Sequence, residues 1–444
     1  MNQDGIAEYV EQYSNRKLEL YCVSSSAITM SAMKGELSSF SLARTQGVAA
    51  RVLCQGRMGF AFTEKADDTD RAVQMAAENA RFIAEDAGNA LCEVPDRLSS
   101  QRYYSRSIDE VAVEAKKAFV LDLEKAAYAF DKRVANVPSA YYGEASSHRM
   151  VVNSFGLNKA SKANFCYSYL YLMVTDGKDT TVGYWGMGGT RFEALDRDRI
   201  VSEAVTQATA QLGAGEVDSG KYPIVLTADM ASDLLESFFG PRSPFFAENV
   251  QLGLSRLADK EHEPIASEIV NLVDDPASPG IGRREFDGEG VTCRRMVIVE
   301  RGRLENFLYN LYAAKRAGRE STGHGDRASH KSAVTTAPSN VVLQNGQKTE
   351  DQLVAQVRKG IYVTDLEGLH ASTDPISGDF SAGAKGRLIE DGCLTRPLRN
   401  FTIAGNFFEV LHKVLDLADN RRDDSFNHVT SPSILVDEVD VSGK

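Results

Sequence analysis

The chain has 444 residues, 43% of them hydrophobic and 25% charged, the balance of an ordinary globular protein that is too long for one core. A formal charge of −12, with no dense basic stripe, argues against a nucleic-acid partner, because that affinity comes from neutralising phosphates. No window approaches the roughly 18 apolar residues of a membrane span, and six cysteines without a Cys-x-x-Cys pair read as reduced thiols, so a cytoplasmic protein with no membrane partner is expected.

Met1–Val10 carries Asp4 and Glu8 in place of the apolar run of a signal peptide. Ile6, Tyr9, Val10 and Tyr13 fall at helical spacing. Strand-like runs follow at Leu18–Val23, Ile28–Met33, Leu37–Leu42, Val48–Cys54 and Met58–Phe62, punctuated by Gly35 and Gly56, the pattern of an antiparallel meander. Asp67-Asp68 then opens a helix with Ala72, Met75, Ala76, Ala80 and Ile83 on one face. The fold class expected is α+β: an N-terminal two-layer α/β sandwich on an antiparallel sheet, followed by a β-rich C-terminal domain.

A first subdomain is expected over 1–105 and a second over 106–219. In the second, Ser107-Ile-Asp-Glu110 has the spacing of a capping box for a helix reaching about Phe130. Strands with turns at Asn153-Ser-Phe-Gly156 and Asp176-Gly177 come next, then a helix over about Ile200–Leu212. The Gly-rich stretch Gly213-Ala-Gly215 to Asp218-Ser-Gly220 marks a boundary, so the third domain spans 220–444. It opens with a buried-looking strand at Tyr222–Thr227 and a short helix at Met230–Phe239. Hairpins are expected around Arg301-Gly302 and Asp391-Gly392, and Asn406 is placed to cap a helix bearing Phe407, Val410 and Leu411.

Most catalytic signatures are missing: there is no phosphate loop, no dinucleotide fingerprint and no Gly-x-Ser-x-Gly elbow. The only His-Glu pair, His262-Glu263, is followed by Pro264 and by no second histidine at helical spacing, so it reads as a solvated loop. Two polar, Gly-containing loops are the candidates for a site. One is Ser321–His330, with His324 and His330; it suits a metal or a set of hydrogen-bonded loop histidines. The other is Asp374–Ser381, whose Ser377, Gly378, Asp379 and Ser381 suit either an extended ligand or a tight turn.

The segments Ser278-Pro-Gly280, Phe286-Asp-Gly-Glu-Gly290, Asn310–Gly318, Ser321-Thr-Gly-His324, Gly360–Leu366, Ser377–Gly383 and Thr402–Asn406 follow in an order that resembles the TldD/PmbA family. The N-terminal strands over 47–62 and Asn153-Ser-Phe-Gly156 extend the resemblance to nearly the whole chain. It implies two-chain assemblies enclosing a cavity and peptidase activity on small or unfolded peptides. It also implies that the TldD-like branch carries His-Glu-x-x-x-His on the helix after the first C-terminal strand. The matching helix here, Met-Ala-Ser-Asp-Leu-Leu-Glu-Ser-Phe-Phe, has no histidine, which resembles the PmbA/TldE branch. The expectation is therefore a subunit without its own metal or cofactor, with zinc in a TldD-like partner chain, or a homodimer. His324, Ser377, Gly378, Asp379 and Ser381 are its candidate peptide-cleft residues, and no residue is assigned a catalytic role. Alternatives are a stand-alone binding or regulatory protein of the gyrase-modulator kind, or a hydrolase with a metal site outside the helix. Ala418-Asp419-Asn420, where the family has Gly-Asn-Asp, and the charged run over 421–430 are departures.

Overall fold

A computed structural model describes residues 3–13 and 17–444. Met1 and Asn2, part of the segment read against a signal peptide, lie outside them. Helix α1 (Gln3–Glu11) sets Ile6 and Val10 against a sheet that begins with strands β1 (Lys17–Met33) and β2 (Glu36–Cys54). Their two-residue turn, Lys34-Gly35, has φ of 60° and 77°, the geometry whose twist matches antiparallel strands. Gln55-Gly56 makes the same turn into β3 (Arg57–Thr63). The separate short runs of the sequence are thus two long strands and one short one. The Ser-rich stretches between the apolar runs stay extended because β1 is paired on both sides.

Helix α2 (Thr69–Asn79) buries Ala72, Val73 and Ala76, and it approaches so closely that a Cβ on Gly59 would lie 1.8 Å from the Ala76 carbonyl oxygen. Met75 and Ile83, expected on the buried face, are 43% and 44% exposed: Val73 takes the inward phase, and the helix stops before Ile83. After β4 (Arg97–Tyr103) comes α3 (Arg106–Glu110), capped by Ser105, and then α4 (Val113–Phe130). The capping box expected at Ser107 does not form. Ser105 accepts the Ser107 amide instead, and extended Val111 breaks the helix before α4 begins.

Strands β5 (Val134–Asn153), β6 (Asn158–Thr175) and β7 (Thr180–Gly189) precede α5 (Arg197–Ala210). The strand order is β3-β2-β1-β5-β6-β4, with β7 also on β6, so the segments either side of residue 105 share one seven-stranded sheet. One face carries the helices, through Leu20, Met30, Tyr142 and Leu170. The other face meets the C-terminal domain through Tyr21, Ala49, Val151 and Phe286.

That domain starts with β8 (Gly220–Leu226) and α6 (Ala228–Glu236). Strands Cys393–Asn406, Asp379–Glu390, Lys359–Glu367, β8 and Ile434–Ser442 pair in that order, and the last returns to the first, closing a small barrel. A five-stranded sheet that includes Leu272–Asp274 and Val341–Leu343 lies beside it. Asp391-Gly392 turns as expected, with φ of 47° and 77°, and Asn406 caps Phe407–His412 by accepting the Phe408 amide. No described helix is long and apolar enough to cross a membrane.

Candidate functional site

Helix α6 follows the first barrel strand. Thr227 caps it, and Ala231, Leu234 and Leu235 anchor it in the core. Asp229, Asp233 and Glu236, four and seven residues apart, therefore share the opposite face. The charged run over 421–428 lies on that face. Arg422 pairs with both Asp229 oxygens at 2.8 Å, Asn427 donates to Asp233 at 3.0 Å, and the His428 amide donates to Glu236 at 3.4 Å. Burial first, then the like charges of Asp229 and Glu236, push Asp233 up to about 7. Burial also raises Glu236, against the pull of His428, and Glu236 Oε2 has no hydrogen-bond partner among the described residues.

Tyrosines face this acidic helix from the sheet. Tyr141 stacks on Tyr169 at 4.6 Å, Tyr169 meets Tyr184 at 5.3 Å, and Tyr167 contacts Tyr141 and Phe426. Alternation along β6 directs these rings away from the helices, since Cys166, Leu170 and Leu172 point into the helix-covered core. Gly186 makes room for the cluster: a Cβ there would sit 2.7 Å from the Tyr169 Cβ. Tyr184 is 47% exposed, yet the surrounding protein desolvates its phenol and raises its pKa, with the Tyr169, Asp233 and Asp229 charges adding to the effect. Half-exposed rings can stack on an extended peptide, and a carboxyl that titrates near neutrality can hold or release a proton beside it.

The residues singled out in the sequence lie elsewhere and apart from one another. Ser377–Ser381 forms the turn into strand Asp379–Glu390. Gly378 donates its amide to the Asp374 carbonyl at 2.8 Å and adopts φ of 85°. The room that its missing side chain leaves is taken by Phe408, 2.7 Å from the position of a Cβ, and not by open space for a ligand. Asn406 donates to Asp379 at 2.8 Å and holds that carboxyl below its usual range, while Arg256 binds the Ser377 carbonyl. Asp379 and Ser381 are exposed, although the Asp379 carbonyl accepts the Asp374 amide at 2.8 Å and both residues pair with the strand Cys393–Asn406.

His324 is 1% exposed. Its Nε2 lies 3.0 Å from Asp274 and its Nδ1 2.8 Å from the Thr322 hydroxyl. Burial alone would raise Asp274, but His324, Arg284 and Ser339 outweigh it and keep its pKa low. This histidine braces the five-stranded sheet. His330 is pressed against Gly47 and Phe62, and burial lowers its pKa.

Sequence reading missed a buried ionic cluster between the domains. Arg51 bridges Glu19 at 2.8 Å and Glu289 at 3.0 Å, and Arg327 also binds Glu19. Asp287 nearby is pushed up to about 7 by burial and by Glu289. These charges are far apart in sequence, and only pairing across the domain contact reveals them.

A zinc site fits poorly on α6. Its donors are carboxylates alone, two of them committed to Arg422 and Asn427, where a helical zinc site takes imidazoles. Among the described residues no group of three or more His, Cys, Asp or Glu side chains is arranged to hold a metal.

Comparison with known proteins matches three domain models along the chain: PmbA/TldA metallopeptidase domain 1 over 18–84, the central domain over 106–212 and the C-terminal domain over 219–443. A metalloprotease of Methanothermobacter thermautotrophicus is 28% identical over 390 residues, covering 86% of this chain and 83% of its own. A proposed modulator of a DNA gyrase from Thermotoga maritima superposes with a TM-score of 0.91 at 26% identity, and TldE from Thermococcus kodakarensis with 0.88 at 25%, each over 99% of both chains. The chain belongs to the PmbA/TldD metallopeptidase family.

Proposed function

We propose that this chain is a subunit of a PmbA/TldD-type peptidase that shapes the binding surface for unfolded peptide while a zinc-bearing partner chain supplies the hydrolytic metal. The observation that carries this reading is α6. It stands directly after the first C-terminal strand, where the TldD-like pattern places His-Glu-x-x-x-His, and it reads Ala-Asp-Met-Ala-Ser-Asp-Leu-Leu-Glu. Two exposed features suit an extended peptide. The Tyr141–Tyr184 wall offers ring faces, and the exposed side chains of Asp379 and Ser381 offer acceptors beside a half-buried turn. Stacking fixes the peptide without regard to its sequence, and the Asp233 carboxyl sits at the end of the wall.

Metal analysis of untagged protein tests the assignment of zinc to the partner. The expected result is well under one zinc per chain and no hydrolysis of an unstructured peptide by the isolated protein. One tightly held zinc per chain with peptide hydrolysis would overturn it.

A further inference from the structure

The Gln55-Gly56 turn, the C-terminal half of α2, Asn89 and Lys315 line a cavity of about 820 Å³. Cavities of roughly 300–1,000 Å³ hold small organic ligands, and a bare inorganic ion would fill little of this one. It joins two domains, since Lys315 stands on the helix Leu311–Ala317 and donates to the Asn89 carbonyl at 2.7 Å. None of its residues belongs to the tyrosine wall or to α6.

Its charge is unlike that of the whole chain, whose formal balance is −12. Four cations line it, Lys17, Arg57, Arg81 and Lys315, against one carboxylate, Glu78. Among the described residues Arg57, Arg81 and Lys315 form no ion pair, and Lys17 has only Glu93, at 3.9 Å. Arg57 is the most enclosed of the four. Its Nε is buried without a hydrogen-bond partner among the described residues, and its Nη1 makes one long bond, 3.5 Å, to the Arg81 carbonyl. Glu85 packs against Gly56, and the C-terminal end of α2 carries about half a negative charge. Both offset the cations in part, and the lining stays positive. Charged donors held in a cavity without acceptors are costly unless an anion meets them there.

We propose that this cavity binds a small organic molecule bearing a phosphate monoester. A carboxylate would leave most of the excess charge unbalanced, whereas a phosphate monoester carries about two negative charges near neutral pH. Arginine forks and lysine ammoniums are its usual donors. Leu53 and Ala77, half-buried in the lining, give apolar contact to the body of the molecule, and the Gln55 and Gln74 amides are exposed beside it. The acidic chain as a whole would repel a nucleic-acid backbone, so the phosphate belongs to a small molecule. This site does not depend on which chain of a peptidase carries zinc.

Calorimetric titration of the full chain with phenyl phosphate, benzoate and inorganic phosphate tests it. Phenyl phosphate is expected to bind at least tenfold more tightly than benzoate, which lacks the second charge, and than inorganic phosphate, which lacks the apolar body. Arg57→Gln and Arg81→Gln should each weaken phenyl phosphate about tenfold or more, the worth of one charge-assisted contact. Arg81 is exposed, so its variant carries the test even where Arg57→Gln loses stability. Arg358→Gln, which removes an exposed arginine outside the cavity, should leave binding unchanged. No binding of phenyl phosphate at millimolar concentration would overturn the proposal. So would equal affinity for benzoate or inorganic phosphate, or an equal loss in Arg358→Gln and Arg81→Gln.

Discussion

Asp233 holds its proton to about pH 7 because the fold buries it and because the turns of α6 set Asp229 and Glu236 on the same face. Its folded pKa lies above its unfolded value of 3.8, so the folded state binds the extra proton between those pH values. Stability from this group is therefore present below about pH 4 and is lost as pH rises towards 7. Asp233→Asn removes that loss. Its melting temperature relative to wild type should be several degrees higher at pH 8 than at pH 5, and an offset independent of pH would contradict the assignment. His324 is the opposite case, a sequence candidate whose neighbours make it structural. His324→Ala would leave Asp274 buried without its main partner, at a cost on the order of 3–5 kcal/mol, read as a large drop in melting temperature. A stable variant with altered peptide turnover would instead return His324 to the cleft. The polar loop was visible in the sequence, but the burial of its histidine was not, because Asp274 lies 50 residues away.

At the scale of elements, turns and caps were legible wherever their chemistry is local. Lys34-Gly35, Asp391-Gly392 and the Asn406 cap need only a few adjacent residues. Two failures show where locality ends. The Ser107 box has the right spacing, yet Ser105 caps first. The Ser-rich middle of β1 looked like a break, yet pairing with β2 and β5 keeps it extended. The Ser377–Ser381 turn lies between these cases, because its glycine serves the fold while its polar side chains stay exposed. Gly378→Ala should destabilise by more than about 1 kcal/mol, since φ of 85° and the Phe408 ring both oppose a side chain. Asp379→Ala and Ser381→Ala should change melting temperature little and lower peptide turnover by the assembled peptidase several-fold. Unchanged turnover in both would leave the turn a purely structural role.

At the scale of the molecule, the sheet of the N-terminal region and the C-terminal domain are clamped by charges that have left water. Arg51 sits among Glu19, Glu289 and Arg327, so Arg51→Ala would leave Glu289 without its cationic partner and Glu19 with Arg327 alone in the contact. A loss of roughly 3–5 kcal/mol is expected, with new protease cleavage in the stretch over 213–220 between the domains. Resistance equal to wild type would show that apolar packing alone holds the contact. The fold class followed from patterning along the chain, whereas this clamp joins Arg51 to Glu289 across 238 positions, and the acidic face of α6 takes Arg422 from 193 positions on. The central claim concerns the whole assembly, and one assay tests it most directly: hydrolysis of an unstructured peptide by a zinc-bearing family member, with and without this chain. The account predicts that adding this chain raises turnover at least tenfold, to a plateau, and that Tyr184→Ala lowers the plateau without preventing co-elution. Full turnover by the zinc-bearing chain alone, unchanged by this protein at any ratio, would contradict it.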